Sequence, residues 1–400
     1  MSRLHVVCPH VSRGGDHRLP LGGAPLRRVS ARAWSDLSLS VEKVLMKGNE
    51  AVCQGAIDGG CTHFFGYPIT PQNEIPEYMS VHLRAAGGVF LQAESEIAAI
   101  NMVFGAAAAG ARSMTSSSGP GIALKQEGLS YLIGAELPCL VVNIVRGGPG
   151  LGNIAASQQD YFLATRGGGH GDGRPLVYAP AGVQELYDIA RNAFGVSERY
   201  RNPVMILGDG ILGQMMEPLE LRGPLQEPMP EKSWAVTGAK GRPRRVINSL
   251  HIVPSENETF CRRLAQKYAE AGEKEMAWEE FGADAPELVI VAYGTMARIC
   301  RSAVTTAIHE GVQARLLRPI TLFPFPSARL AELAADANAV LAAEMSTGQL
   351  VDDVRIAVAG RAPVDLYGRP GGVTPSPEEV SEYIVSLCRS KSVRAGSEAQ

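Results

Sequence analysis

Apolar and polar residues alternate along this chain with two periods. Short apolar runs such as 288–292 are typical of strands buried on both faces of a parallel sheet. Longer stretches with apolar positions three and four residues apart, such as 183–199, predict helices that cover such a sheet. The two kinds of segment follow each other from Lys47 onwards, so we predict an α/β fold built on parallel sheets.

Most elements of the first half can be placed from this pattern. We predict strands over 63–67, 89–92, 112–116, 139–145 and 203–207, and helices over 48–59, 71–85, 95–110, 122–133 and 183–199. The helix over 95–110 has so few polar residues that we expect it to be buried on nearly all sides.

The composition changes near residue 222. Residues 222–245 are rich in Pro, Gly, Lys and Arg, as interdomain linkers are. We therefore predict a first domain over 46–221, a linker over 222–245, a second domain over 246–390 with a long helix (256–281) and an α/β core (285–388), and a disordered tail over 391–400.

Residues 1–45 differ from the rest of the chain. The first 40 residues hold six arginines, only two acidic residues and no apolar periodicity. Three interpretations fit: a misplaced start with the natural chain beginning near Val41 or Met46, a disordered leader or tag, and an organelle transit peptide.

Overall composition excludes several classes of protein. The 400 residues are 45% hydrophobic and 20% charged, and no apolar run is long enough to cross a bilayer. The net charge of −3 gives no sign of the strong positive charge that is typical of proteins that bind nucleic acid or membranes. Seven scattered cysteines without a C-x-x-C pair argue against a zinc site or a cluster held by this chain alone. We expect reduced thiols and a cytoplasmic protein.

Two candidate polar side chains lie where predicted strands end and helices begin. Thr70 lies in Tyr67-Pro68-Ile69-Thr70-Pro71; it either caps the next helix or points its hydroxyl into a ligand cleft. Glu96 opens the apolar helix, where it is either a helix-dipole partner or a desolvated, proton-sharing group. Glu94 should point to the opposite face.

Three glycine-rich loops offer further candidates. Ser118 and Gly119 belong to a strand-to-helix turn, 116–121, whose backbone N–H groups and hydroxyls could hold an anion, although its spacing is not that of a P-loop. Arg146 follows a valine-rich strand and is suited to gripping a carboxylate. His170 lies in a glycine-rich segment, 167–173, that we read as a mobile loop lining a site.

These motifs together resemble the alpha subunits of 2-oxoacid:ferredoxin oxidoreductases. The resemblance rests on Y-P-I-T-P (67–71), E-S-E-I-A-A (94–99), T-S-S-S-G-P-G (115–121) and R-G-G-P-G-L-G-N (146–153), with A-Y-G-T (292–295) and L-R-P-I-T-L-F-P-F-P (317–326) further along. It implies a pyrimidine-type thiamine diphosphate domain followed by a transketolase C-terminal-like domain.

The resemblance also implies a reaction and its participants. Thiamine diphosphate attacks a 2-oxoacid, carbon dioxide leaves, electrons pass through [4Fe–4S] clusters on partner subunits to ferredoxin, and coenzyme A takes the acyl group. By motif, Glu96 matches the glutamate that contacts the cofactor's pyrimidine, while Thr70 and Arg146 match substrate-holding positions. Beta, gamma and ferredoxin-like delta subunits are the implied partners.

An absence suggests that this chain is half of an enzyme. The family's diphosphate and Mg²⁺ site uses G-D-G followed by asparagine, but after Gly208-Asp209-Gly210 the next asparagine is Asn248, beyond the linker. We interpret Asp209 as part of a strand-end turn and expect no metal on this chain. The diphosphate site should lie on the beta subunit.

The substrate is the least constrained inference. The segments 151–162 and 168–173 look most similar to branched-chain (2-oxoisovalerate) members, with 2-oxoglutarate enzymes as the alternative. Two other hypotheses are a self-contained thiamine enzyme of the transketolase type and a non-catalytic scaffold that docks electron-transfer subunits.

Overall fold

The computed structural model describes residues 43–167, 169–226 and 231–398, with side chains up to Arg389. The strands are β1 (Lys43–Lys47), β2 (His63–Gly66), β3 (Val89–Gln92), β4 (Ser113–Ser117), β5 (Leu140–Val145), β6 (Leu176–Tyr178), β7 (Val204–Asp209), β8 (Met216–Glu220), β9 (Trp278–Gly282), β10 (Leu288–Val291), β11 (Ala314–Pro319), β12 (Thr321–Phe323), β13 (Ala339–Glu344) and β14 (Val364–Gly368).

Twelve helices accompany these strands in the part of the chain that is described. They are α1 (Gly48–Asp58), α2 (Glu74–Ala85), α3 (Glu96–Ala108), α4 (Gly119–Leu124), α5 (Gln126–Gly134), α6 (Val183–Tyr200), α7 (Gly210–Gln214), α8 (Pro254–Lys274), α9 (Gly294–His309), α10 (Ser327–Asp336), α11 (Leu350–Val358) and α12 (Pro377–Glu398). A π-helical turn spans Leu163–Gly167. None of these helices is long and apolar enough to cross a membrane.

Two mainly parallel sheets form the framework. The first has the order β12-β6-β7-β5-β4-β2-β3 and the second the order β14-β13-β10-β11-β9, while β1 pairs with β8 in a small ribbon. The central strands β4 and β5 are buried along their whole length, because helices cover both faces of the sheet. The predicted α/β class with parallel sheets is confirmed.

One strand from the second half of the chain belongs to the first sheet. Strand β12 comes from the second half of the chain but pairs antiparallel with β6 at the edge of the first sheet. Just before it, Arg318 is 5% exposed and donates to Glu185 on α6 at 2.6 and 2.8 Å and to Glu279 on β9 at 2.9 Å. The motif 317–326 therefore ties the two sheets together.

The predicted helix over 256–281 is wrong at its C-terminal end. Helix α8 stops at Lys274, and Trp278–Gly282 forms the edge strand β9, antiparallel to β11. Aromatic residues such as Trp278 and Phe281 favour a strand, and the charged residues between them hid this. Although the sequence groups α8 with the second domain, its Phe260 and Leu264 pack on Ile133 of α5.

Three helices in the first half also differ from the predictions. Helix α2 begins at Glu74 rather than residue 71. The predicted helix over 122–133 is two helices that meet at Lys125. Helix α3 is not buried on all sides, because Ile97 is 48% exposed and Asn101 lies on the same open face. Apolar composition alone cannot show which face of a helix lacks a neighbour.

The predicted disorder at the two ends needs correction where the chain is described. Residues 43–45, assigned to the leader, pair in β1 with Glu220, Leu219 and Pro218 of β8. In the assigned tail, 391–398 continue α12, since no proline interrupts the helix. Residues 1–42 and 399–400 lie outside the described residues. Four of the six described cysteines, Cys53, Cys61, Cys139 and Cys300, are buried.

Candidate active site

The predicted site residues lie at the carboxyl ends of four neighbouring strands of the first sheet. Thr70 follows β2, Glu96 follows β3, Ser118 follows β4 and Arg146 follows β5, and these four strands are neighbours in the order β5-β4-β2-β3. The carboxyl ends of parallel strands are where open α/β sheets bind their ligands. The fold therefore gathers four residues that are dispersed over 77 positions, 70 to 146, of the sequence.

Internal hydrogen bonds hold the Thr70 loop. The carbonyl of Pro71 accepts from Asn49 at 2.9 Å and from Gln214 at 3.2 Å, and the buried Gln72 accepts from Ser116 on β4 at 2.5 Å. The Thr70–Pro71 peptide is cis. Because α2 begins three residues after Pro71, the interpretation of Thr70 as the helix cap is wrong.

Arg146 connects the two predicted substrate-binding positions. Its Nη1 donates to the backbone carbonyl of Thr70 at 2.9 Å, and its Nη2 donates to the carbonyl of Leu151 at 3.2 Å. Its Nε is buried and has no hydrogen-bond partner among the described residues. The guanidinium is thus fixed by two backbone carbonyls, and three of its five N–H groups, Nε–H among them, have no acceptor among the described residues and can donate to a ligand.

Glu96 is a buried carboxylate with free hydrogen-bonding capacity. It is 7% exposed, and the helix that it opens is capped by Ser95, whose Oγ accepts from the N–H of Ala98 at 3.2 Å. No side chain or backbone group in the described part of the chain donates to its carboxylate. A carboxylate in this setting is largely shielded from water and remains available to a donor on a ligand.

Gly121 makes room for the Glu96 carboxylate. A Cβ atom at Gly121 would lie 2.7 Å from Oε1 of Glu96 and 2.1 Å from Oγ of Ser117, far inside van der Waals contact. The hydroxyls of Ser117 and Ser118 are buried without a partner among the described residues. The turn therefore presents unused polar atoms beside Glu96. Glu94, two residues earlier, is exposed.

Asp160 occupies part of the turn that we predicted to hold an anion. Its carboxylate accepts from Asn143 at 2.9 Å, and burial raises its pKa while the nearby backbone N–H of Gly119 lowers it. A carboxylate of this chain therefore already lies beside one of the predicted anion-binding N–H groups. Asp160 and Gln72 are positioned by residues distant in sequence. The polarity of 157–160 gave a signal for Asp160, and Gln72 had none.

Two other candidates have clear local settings. Asp209 caps α7, accepting from the N–H groups of Ile211 and Leu212 at 3.0 and 3.1 Å, and its interpretation as a strand-end turn is confirmed. His170 is exposed and makes no hydrogen bond to another described residue. Within the described part of the chain, no group of three or more His, Cys, Asp or Glu side chains is placed to hold a metal ion.

A cavity of about 490 Å³ opens beside Thr70. It is lined by the Thr70 loop, the loop after Arg146, the start of α7 and the turn at 372–374 of the second half of the chain. The lining residues are Thr70, Pro71, Asn73, Glu74, Ile154, Ala155, Ala156, Gly210, Ile211, Gln214, Gly372 and Thr374. None of them is Lys, Arg or His.

Two family models match the chain. Residues 54–277 match the thiamine diphosphate-binding model of the pyruvate flavodoxin/ferredoxin oxidoreductases, and residues 286–380 match core domain II of pyruvate:ferredoxin oxidoreductase. The first match covers α8 and every strand of the first sheet except β12, and the second match covers β12 and every strand of the second sheet except β9.

Curated relatives cover most of the chain. It is 49% identical to ketoisovalerate oxidoreductase subunit VorB of Methanothermobacter thermautotrophicus over 85% of its own length and 96% of the relative's. It is 34% identical to 2-oxoglutarate synthase subunit KorA of the same organism, over 87% of its length and 100% of the relative's.

Solved structures share the architecture. The 2-oxoglutarate:ferredoxin oxidoreductase from Magnetococcus marinus, solved with 2-oxoglutarate, coenzyme A and succinyl-CoA bound, matches with a TM-score of 0.76 at 28% identity, covering 86% of this chain and 65% of that one. A split-gene transketolase matches with a TM-score of 0.53 at 15% identity, over 86% of this chain and 98% of its own, which shows the fold alone. With two family models in sequence and a relative that is half identical over nearly its full length, the chain belongs to the 2-oxoacid:ferredoxin oxidoreductase family.

Proposed function

We propose that this chain is the alpha-type subunit of a thiamine diphosphate-dependent ketoisovalerate:ferredoxin oxidoreductase. It takes part in the oxidative decarboxylation of 3-methyl-2-oxobutanoate to carbon dioxide and the acyl-CoA, with electrons passed to ferredoxin. The observation that carries the proposal is the convergence of Glu96, Thr70 and Arg146 on one sheet edge, in a chain that is 49% identical to a relative named ketoisovalerate oxidoreductase subunit.

The residues at this edge fit the aminopyrimidine end of the cofactor. Glu96 offers a buried carboxylate with no protein donor among the described residues, and a pyrimidine ring nitrogen needs such a partner to share a proton. When bound, thiamine diphosphate supplies the carbon nucleophile and the electron sink for decarboxylation. Ser117 and Ser118 add hydroxyls that lack partners in the described part of the chain.

Thr70 and Arg146 would hold the 2-oxoacid. Arg146 holds the Thr70 loop by donating to the backbone carbonyl of Thr70, and its buried Nε–H has no partner among the described residues. A carboxylate of the substrate can therefore pair with the guanidinium, while the threonine hydroxyl donates to an oxygen of the substrate. The binding of both groups orients the acid at the cleft.

The cavity beside Thr70 favours a branched aliphatic acid. Ile154, Ile211 and two alanines line one part of it, and its polar residues include the acidic Glu74 but no positively charged side chain. A 2-oxoglutarate enzyme has to pair the distal carboxylate of its substrate, because an unpaired buried charge is costly. This cavity gives no such partner, and the 2-oxoglutarate relatives are also less similar, at 34% identity against 49%.

The remaining components lie on other subunits in this proposal. A beta subunit supplies the Mg²⁺ and diphosphate site, gamma and delta subunits complete the assembly, and [4Fe–4S] clusters on the partners carry electrons to ferredoxin. Coenzyme A is the acyl acceptor. Support comes from the relatives, which are named as subunits, and from Asp209, whose carboxylate is engaged in capping α7.

The test is co-purification of the native complex followed by 2-oxoacid-dependent reduction of a viologen dye in the presence of coenzyme A. We expect 3-methyl-2-oxobutanoate to be preferred over 2-oxoglutarate. Glu96→Gln should lower kcat by about 100- to 10,000-fold, the range of general acid–base catalysis. Glu94→Gln, which removes an exposed carboxylate two residues away, is the matched control and should keep full activity.

Two outcomes would overturn the assignment. Full activity in Glu96→Gln would remove the cofactor contact, and a preference for 2-oxoglutarate would replace the substrate. A scaffold role predicts instead that Thr70→Val and Arg146→Gln complexes assemble and turn over normally.

A further inference from the structure

Lys125 is a lysine without access to solvent. It lies at the junction where α4 ends and α5 begins, and its exposed fraction is 0%. Its Nζ donates to Oγ1 of Thr115 on β4 at 2.9 Å. A buried ammonium group needs compensation, and one neutral hydroxyl does not supply a negative charge.

Glu96 is the charge that acts on this lysine. Burial lowers the pKa of Lys125 and the nearby Glu96 carboxylate raises it, so that the pKa is about 8. No hydrogen bond joins the two side chains in the described structure, so they interact through a medium of low polarity without forming an ion pair in contact.

The other acidic groups on neighbouring elements are engaged elsewhere. Glu127, two residues along on α5, accepts from the exposed Tyr131 at 2.8 Å, and Asp160 accepts from Asn143 at 2.9 Å. Thr115 is itself buried. The pairing of Lys125 with Glu96 is therefore specific within this part of the fold.

We propose that Lys125 is a positioning residue for Glu96: its ammonium group, anchored on Thr115, provides the positive charge that balances the buried carboxylate. The inference rests on the proposed function in one respect, that Glu96 is the group which meets the cofactor. Gly121, whose position adjoins the Glu96 carboxylate, lies four residues before Lys125, so one turn of α4 separates the two sites and Lys125 acts through Glu96. Charge, rather than the length of the side chain, is what the site requires from this position.

A direct test is the titration of Lys125 by NMR in the full chain with ¹³C-labelled lysine, without cofactor or substrate. The resonance absent from Lys125→Met identifies the residue. We expect a midpoint near pH 8 in the wild type and a lower one in Glu96→Gln, because the carboxylate favours the protonated amine. Lys267, whose pKa is lowered by burial and which pairs with Glu136, is the internal control and should not shift between the two proteins.

An unchanged midpoint in Glu96→Gln, or a wild-type midpoint near the ordinary value of about 10.4, would overturn the inference. This measurement does not depend on turnover. If the coupling is present but Glu96→Gln complexes remain active, the proposed function fails and the pairing stands. If Glu96→Gln is inactive but the midpoint does not move, the pairing fails and the proposed function stands.

Activity of the assembled complex gives a second measure. Lys125→Met should move the acidic limb of the pH profile of kcat/KM upward by roughly one pH unit, the effect of losing a nearby opposite charge. Lys125→Arg, which keeps the charge, should restore most of the profile. A structural role alone predicts the same pH profile in every variant that assembles, and that result would contradict the proposal.

Discussion

The guanidinium of Arg146 donates to the backbone carbonyl of Thr70 across a distance of 2.9 Å, although the two residues are 76 positions apart in the chain. This bond joins the loops that follow β2 and β5, which flank β4 in the sheet. The loop that carries the Thr70 hydroxyl and the guanidinium of Arg146 are therefore held together as one unit. A change at either residue should disturb the other.

The first prediction concerns this unit. Arg146→Lys keeps a positive charge but loses the planar fork that reaches both Thr70 and Leu151. We expect kcat/KM for the 2-oxoacid to fall roughly 10- to 100-fold, the value of a hydrogen bond to a charged group. Steady-state kinetics of the complex would measure this. The control is Arg262→Lys, at an exposed ion pair on α8, and equal activity of the two variants would contradict the prediction.

The second prediction concerns Gly121. In Gly121→Ala the new methyl group would overlap Oε1 of Glu96 and Oγ of Ser117, so the carboxylate has to move. A displacement of about 1 Å can cost roughly 100-fold in rate, and we expect a loss of that size in kcat. The control is Gly195→Ala on α6, because no atom lies within 4 Å of the position that its new methyl group would take. The prediction fails if the Gly121 variant turns over as fast as this control.

The third prediction concerns the contact between the sheets. Arg318→Met removes the buried partner of two carboxylates, Glu185 and Glu279, that are themselves 36% and 40% exposed. Because solvent compensates part of the loss, we expect the free energy of unfolding to fall by about 1–3 kcal/mol. Urea unfolding would measure it. Arg262→Ala, at an exposed pair with Glu258, should change stability by less than about 1 kcal/mol.

The same variant should change the pH dependence of stability. Burial favours a higher pKa for Glu185, but the bonds from Arg318 hold it below the ordinary value. A carboxyl with a lowered folded pKa stabilises above its unfolded pKa of about 4.3 and loses this contribution as the pH falls. The stability difference between wild type and Arg318→Met should therefore shrink in acid. A constant difference would contradict the assignment.

The fourth prediction follows from the burial of Lys125. Its folded pKa of about 8 lies below the ordinary lysine value, so the unfolded chain binds more protons between the two values. Wild-type stability should rise with pH across this window, by about 2 kcal/mol from roughly pH 7.5 to 9.5. Lys125→Met should lack this rise, as chemical unfolding at several pH values would show. If the free energy of unfolding changed with pH in the same way in both proteins, the prediction would be wrong.

Sequence patterns predicted the features that depend on local composition. The strand over 89–92 has its predicted bounds, and Asp209 lies at the predicted strand-end turn between β7 and α7. Edge strand β9 was missed because its pairing with β11 is a long-range contact. Local propensity does not encode such contacts.

The residues of the candidate site also fall into those that the sequence predicted and those that it did not. Thr70, Glu96 and Arg146 could be proposed because each follows a recognisable strand. Lys125 could not, since a lysine in an amphipathic helix is ordinarily a surface residue. Only the break between α4 and α5, together with the packing of β4, turns this side chain inward. Gln72 was overlooked because its partner, Ser116, lies 44 positions away.

Strand β12 has a consequence for how the chain is made. It closes the edge of the first sheet beside β6, yet it lies at Thr321–Phe323, beyond α9 and most of the second sheet. During synthesis the nascent chain has to wait until these residues leave the ribosome before that edge is paired, and an unpaired strand edge invites association with other chains. A fragment that ends at the linker would leave β6 as an unpaired edge strand. The two halves of this protein should therefore not be expressed as separate fragments.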